Sequence, residues 1–184
     1  RPCLRHLLPV RSALDRHPGK VTAMKTFLIL AMIVATAAAD QITKLAVLRS
    51  LSPGEIYSVS PGFNLTLGFN EGASFGMMSD LMAGRPLLMV ALTGALAIIF
   101  AGMAFRADTR REGIGLALIV GGAVGNIIDR LRQGAVTDFL DVYWRDWHWP
   151  TFNGADIAIS LGALLVLTAM LRPSRSKELS FDRT

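Results

Sequence analysis

The sequence predicts a mainly α-helical membrane protein: four transmembrane helices, with a small extracytoplasmic β element between helices 1 and 2. Three observations carry this. Charged residues make up only 18% of the 184 positions, whereas a soluble domain carries about a quarter. Hydrophobic residues reach 52% and the mean hydropathy is +0.43. The apolar residues are also concentrated in four segments separated by polar punctuation, and a membrane helix needs roughly 17 to 25 such residues. The formal net charge is +5, but the basic residues flank the apolar runs. That placement sets membrane orientation rather than nucleic-acid binding.

Residues 1–23 read apart from the rest. They are Arg-rich, contain Pro2, Pro9 and Pro18, and precede Met24-Lys25, which resembles an ordinary start before an apolar run. Two readings stand: a disordered or non-native extension, or an additional amphipathic element. The first apolar segment is Thr26–Leu48, interrupted by Asp40 and Lys44. Lys25 and Ala37-Ala38-Ala39 also fit a cleavable signal peptide, but the apolar pattern continues through Ile42 and Leu45 to Leu48, which favours a retained helix. The second segment, Pro86–Phe105, carries no charge; the third, Gly113–Ile128, closes on Asp129-Arg130; the fourth, Ile157–Leu171, closes on Arg172. Residues 24–172 thus form the membrane domain and 173–184 a cytoplasmic tail.

Lys and Arg placement orients the chain. Thirteen of the 19 basic residues lie in the N-terminal stretch through Lys25, the 106–112 loop and the C-terminal tail. Both termini are therefore expected in the cytoplasm. In the outer loop at 49–85, Phe63, Leu65, Leu67 and Phe69 alternate with Asn64, Thr66 and Gly68, the period-two pattern of a strand. The second outer loop, 132–153, carries Trp144, Trp147 and Trp149, which suit the headgroup layer. Asp141 and Asp146 read as solvated loop charges, and Gly121, Gly122 and Gly125 as small residues for close helix packing.

This topology sends the polar residues of three helices to one face. Asp40 and Lys44 end the first helix, Asn126, Asp129 and Arg130 end the third, and Asn153 and Asp156 open the fourth. Asp138 falls in the loop between the third and fourth. Ionisable groups at such depth are costly and point to function or to a buried pair. Asp40 and Lys44, four residues apart, suit an ion pair, and Arg130 can snorkel to water. Asp138 and Asp156 have no basic residue three or four positions away. Two converging carboxylates without a local cation would share a proton, one activating water while the other polarises a carbonyl. A proton-coupled transporter would spread its carboxylates through the bilayer depth, and a scaffold would tolerate the loss of either aspartate. Cys3 alone cannot form a disulfide, and His6, His17 and His148 lack the HExxH spacing of a zinc protease.

Five blocks, in order, carry a resemblance: Asp40-Gln41-Ile42-Thr43-Lys44; Asn70-Glu71-Gly72-Ala73-Ser74-Phe75-Gly76; the run from Gly121 to Arg130; Val136-Thr137-Asp138-Phe139; and Phe152-Asn153-Gly154-Ala155-Asp156. In these the chain resembles the lipoprotein signal peptidase (signal peptidase II) family over about residues 24–172. The resemblance implies an aspartic endopeptidase of the bacterial inner membrane that removes the signal peptide from diacylglyceryl-modified prolipoproteins. It implies Asp138 and Asp156 as the catalytic pair. It further implies Asn126, Asp129, Arg130 and Asn153 as their supports, and Asp40, Lys44 and Asn70 as residues that shape the substrate site or hold the fold. It implies no metal or organic cofactor. The partners it implies are lipidated precursors, membrane lipid and globomycin-type peptide inhibitors, with a monomer sufficient for the site.

Overall fold

A computed structural model describes residues 18–72 and 85–171. The tail expected at 173–184 and residues 1–17 of the expected extension lie outside the described residues. In chain order the elements are α1 (Pro18–Ser50), β1 (Ile56–Ser60), β2 (Phe63–Asn70), α2 (Pro86–Arg106), α3 (Arg110–Gln133), β3 (Val136–Trp144), β4 (Trp147–His148) and α4 (Gly154–Met170). The fold is mainly helical with one small antiparallel sheet.

Among the described residues three helices are long and apolar enough to cross a membrane: α1 over Met24–Ser50, α2 and α3. The apolar α4 is shorter, at 17 residues. Large apolar side chains such as Phe27, Ile42, Leu87, Ile98 and Leu164 are exposed on the helices. A helix that is apolar on its outer face as well as its inner one suits a lipid surround. Helix α1 runs unbroken through Ala37-Ala38-Ala39, so the alanines do not end it.

The helix ends follow local chemistry. Pro86 opens α2, where a missing N–H costs nothing. The Glu112 N–H donates to the Thr109 hydroxyl oxygen at 3.2 Å to cap α3. Gly134, at φ 81°, ends α3 in the left-handed region, and its N–H donates to the Arg130 carbonyl.

Helix α3 is central, flanked by α1, α2 and α4. Its glycines make the close approaches possible. A Cβ on Gly122 would stand 2.5 Å from the Ala155 carbonyl oxygen of α4, and one on Gly121 2.6 Å from Thr36 Cβ of α1. Gly115 and Gly162 face each other, so that a Cβ on Gly162 would stand 2.5 Å from the Gly115 oxygen. The space beside Gly125 is taken by the Asp40 carboxylate. Ile29, Ala104, Ala107, Leu116 and Ala117 form a buried cluster among the helices.

The sheet corrects the expectation in two respects. Its order is β1-β2-β3-β4, so the segment between helices 1 and 2 supplies only half of it. The other half comes from the stretch between α3 and α4, where the sequence pattern predicts only a loop. That stretch is rich in β-branched and aromatic residues, but its first four residues, Val136 to Phe139, are all buried. A strand covered on both faces shows no polar alternation. Asp138 therefore sits on a strand. The alternation in β2 is also broken: Asn64 and Leu67 are buried three residues apart, because pairing with β3 shifts register between Leu65 and Gly68.

Candidate active site

The C-terminal ends of α1 and α3, the N-terminus of α4, the end of β2 and the start of β3 meet at one end of the bundle. Lys44 is at the centre of this meeting, only 1% exposed. An ammonium has three donors, and all three are used. Nζ lies 2.8 Å from Asp40 Oδ2 and 3.0 Å from Asp129 Oδ2, and donates to Asn126 Oδ1 at 2.9 Å. The i, i+4 pair seen in the sequence is thus one arm of a junction that ties α1 to α3. The other carboxylate oxygens are also satisfied. Asp40 Oδ1 accepts from the Ala155 N–H at 2.8 Å. Asp129 Oδ2 also accepts from the Thr137 N–H at 3.0 Å, and Oδ1 from Gln41 Nε2 at 2.9 Å. Gln41 was not singled out by sequence reasoning as a site residue, although it stands between Asp40 and Lys44 in the quoted block.

Asn153 connects this junction to the two remaining carboxylates. It is the N-cap of α4, and with Asp156 it forms a reciprocal capping box. The Asp156 N–H donates to Asn153 Oδ1 at 3.0 Å, and the Asn153 N–H to Asp156 Oδ2 at 3.2 Å. Because the cap occupies the amide oxygen, Nδ2 is left to donate outward: to Asp138 Oδ1 at 2.6 Å and to Asn126 Oδ1 at 3.3 Å. Asn126 Nδ2 donates to Asp156 Oδ1 at 3.0 Å, and Asn70 Nδ2, at the end of β2, to Asp138 Oδ2 at 3.0 Å. Every oxygen of both carboxylates therefore faces an N–H donor.

Asp138 is 2% exposed. Burial pushes its carboxyl up to about 6. The hydrogen bonds from Asn70 and Asn153 oppose that rise, the charge of Asp156 adds to it, and Lys44 draws it down. Asp156 is only partly buried.

Two open clefts reach these carboxylates. One, of about 450 Å³, is bounded by Asp138, Gly68, Phe69, Asn70 and Glu71. The other, of about 570 Å³, runs past Asp156 along Ile157, Ser160 and Leu161 of α4. Asn70, Pro150 and Thr151 line both. A chain lying across these residues would meet both carboxylates.

Of the residues singled out from sequence, Asp40, Lys44, Asn70, Asn126, Asp129, Asp138, Asn153 and Asp156 join one hydrogen-bonded network. Arg130 stands apart from it. Its Nε is buried and has no hydrogen-bond partner among the described residues, and the cation bound to Asp129 is Lys44 rather than the adjacent arginine. Asp141 is a correction. It is 4% exposed, accepts from Asn64 Nδ2 at 2.9 Å and lies 2.8 Å from His148 Nδ1. A burial this deep is possible because β2 and β4 bring it partners from either side. Asp146 is exposed, as expected.

Apolar helices long enough to span a bilayer, joined at one end by buried and hydrogen-bonded carboxylates beside open clefts, define an integral membrane protein with a polar site at its helix ends. Residues 32–172 match the family model described as Signal peptidase (SPase) II, and the chain belongs to that family. The lipoprotein signal peptidase of Solibacter usitatus is 43% identical over 155 residues, covering 82% of this chain and 93% of that protein. The one from Burkholderia mallei is 44% identical over 137 residues, covering 74% and 82%. Two solved structures of a bacterial membrane enzyme obtained by the in meso method, at 1.9 and 2.3 Å resolution, superpose with TM-scores of 0.69 and 0.71. They are 27% and 26% identical and cover 80% and 85% of this chain, and 94% of each of theirs.

Proposed function

We propose that the protein is an aspartic endopeptidase that removes the signal peptide from diacylglyceryl-modified prolipoproteins, with Asp138 and Asp156 as its catalytic pair. The observation that carries this reading is that one asparagine, Asn153, grips both carboxylates while each borders an open cleft. The names of the relatives supply the substrate class.

In this reading Asp138, whose environment favours the proton, donates a hydrogen bond to the scissile carbonyl oxygen. Ionised Asp156 takes a proton from water as the water oxygen attacks the carbonyl carbon. The tetrahedral intermediate collapses by breaking the C–N bond, and the departing amine takes up the proton held by Asp156. Asn126, Asn70 and Asn153 orient the pair. The junction of Lys44, Asp40 and Asp129 holds the helices that carry it, and Arg130 supports the acids through its charge alone.

The domain is residues 24–172, with four spans and both termini cytoplasmic. At 17 residues, α4 meets the lower bound of about 17 for crossing the hydrocarbon core. The site then lies at the outer leaflet of the bacterial inner membrane, where a lipidated precursor presents its scissile bond. The cleft along α4 faces the apolar part of that substrate, and a globomycin-type peptide would occupy the same space. One chain holds both carboxylates, so a monomer suffices.

The test is direct. The purified protein in detergent is given a precursor peptide with and without a diacylglyceryl group on its cysteine, and the products are weighed by mass spectrometry. The expected result is cleavage immediately before the cysteine of the lipidated peptide only. Uncut lipidated peptide, or equal cleavage of both, contradicts the reading.

A further inference from the structure

The buried Asp141 and its histidine lie outside the chemistry above, yet they adjoin a segment that lines the clefts. That segment, 149–152, leaves β4 and is tied to β3 at its two feet. The Trp149 N–H donates to the Val142 carbonyl at 2.8 Å. At the other foot the Phe152 carbonyl accepts from the Phe139 and Leu140 N–H groups at 3.0 and 2.8 Å, and the Phe152 N–H donates to the Leu140 carbonyl at 3.1 Å. Pro150 and Thr151 lie between these feet, and both line both clefts.

The foot at Phe152 continues directly into Asn153, which is fixed by the helix cap and by Asp138. The foot at Trp149 is held among the described residues by its one backbone bond to Val142, beyond a β4 only two residues long. Beside it stands His148. Its Nδ1 lies 2.8 Å from Asp141 Oδ1, so with an ionised carboxylate the proton of that bond is on Nδ1. Its ring stacks on Tyr143, with centroids 5.2 Å apart. Asp141 is held from the other side by Asn64, its cross-strand partner in β2. A buried carboxylate costs folding free energy unless it is hydrogen-bonded, and here both of its oxygens are engaged, one by each neighbouring strand.

We propose that the Asp141–His148 clasp is a positioning element for the substrate: it fixes the outer foot of the 149–152 strap and so sets the width of the two clefts over the carboxylates. This rests on the peptidase reading. His148 and Asp141 act through Pro150 and Thr151 and touch no reacting atom. The clasp therefore governs how well substrate is held and leaves the chemical step to the anchored foot at Asn153.

The test uses the full chain in detergent with the diacylglyceryl-modified precursor, comparing wild type, His148→Ala and His148→Asn. The asparagine amide can present an N–H where imidazole Nδ1 stands. In His148→Ala, KM should rise roughly three- to tenfold, the equivalent of one lost hydrogen bond, while kcat stays within about twofold. His148→Asn should recover most of that loss. Hydrogen–deuterium exchange without substrate should quicken at the Trp149 amide in His148→Ala, return towards wild type in His148→Asn, and stay unchanged at the Phe152 amide in both. A fall in kcat at constant KM, an asparagine variant no better than alanine, or unchanged exchange at Trp149 overturns the proposal. So does a lowered melting temperature with KM unchanged, since the clasp would then serve stability alone. If the wild type leaves the precursor intact, the peptidase reading fails, while the exchange data still decide whether His148 holds the strap.

Discussion

Replacing Asp138 or Asp156 with asparagine is expected to abolish precursor cleavage in either single variant, with a loss in kcat of about 10²- to 10⁴-fold, the usual contribution of one general acid or base. Asparagine keeps the shape of aspartate but can neither give up nor take a proton at the pH of catalysis. The hydrogen-bond pattern makes the change structurally tolerable but not free. Asp138 receives Asn153 Nδ2 on one oxygen and Asn70 Nδ2 on the other, so an amide at 138 turns its own NH₂ towards one of those donors. Asp156 receives Asn126 Nδ2 and the Asn153 N–H in the same way. Asp138→Asn should lose about 1–3 kcal/mol of stability, the cost of one buried unsatisfied donor, the partly exposed Asp156→Asn less, and both should still purify folded. Kinetics on the lipidated precursor, beside a melting curve in the same detergent, separate the two effects. Either variant cleaving at the wild-type rate removes that residue from the catalytic pair.

The largest loss of stability is expected at Lys44. Its ammonium contacts Asp40, Asp129 and Asn126 together. Lys44→Met keeps the length and apolar stem but leaves two deeply buried carboxylates facing each other without a cation. Removing one partner of a buried ion pair costs about 3–5 kcal/mol, and in a protein of this size that lowers the melting temperature by the order of 10 °C. Activity should fall with it, because Asn126 Oδ1 loses the shorter of its two donors and keeps only Asn153 Nδ2 at 3.3 Å, which loosens its grip on Asp156. Lys44→Arg is no rescue: the planar guanidinium cannot place three donors where a tetrahedral ammonium does. A melting temperature within about 2 °C of wild type in Lys44→Met would show that the junction contributes little.

Much of this arrangement was legible in the sequence, for identifiable reasons. A polar residue inside an apolar run is conspicuous, so Asp40, Lys44, Asn126 and Asp129 were marked by contrast alone. The topology then put their helix ends together. Asn153 and Asp156 were marked as polar residues opening an apolar segment, but their reciprocal cap turns on backbone N–H groups that composition does not display. Asp138 was noticed because it lacked a nearby cation; its strand was not, because a segment buried on both faces loses the period-two signal. Asp141 was misread as solvated for the same reason. Its partners, Asn64 and His148, are 77 residues upstream and 7 downstream, and only the pairing of β2 with β3 brings Asn64 opposite it. Arg130 shows the converse. It reads as a charge free to snorkel to water, yet its Nε is buried; neighbouring residues on a helix point about 100° apart, and the cation that reaches Asp129 comes from another helix.

The claim that Asp138 and Asp156 work as one pair holding a single proton is tested most directly by the pH dependence of kcat/KM, which reports the ionisations of the free enzyme. Asp138 is raised to about 6, so the pair keeps its proton below that pH and loses it above. The working form carries one proton, and the apparent value belongs to the pair rather than to either residue. On the lipidated precursor, kcat/KM should therefore fall as pH rises through about 6, tenfold per pH unit at the limit. Because the raised carboxyl holds its proton more tightly in the folded chain, stability falls as pH rises towards about 6 and is level above it, so the melting temperature should not follow the loss of activity above pH 6. A profile that rises through pH 6 and stays level above it would mean that the fully ionised pair is the competent form, and would contradict the proton-sharing mechanism.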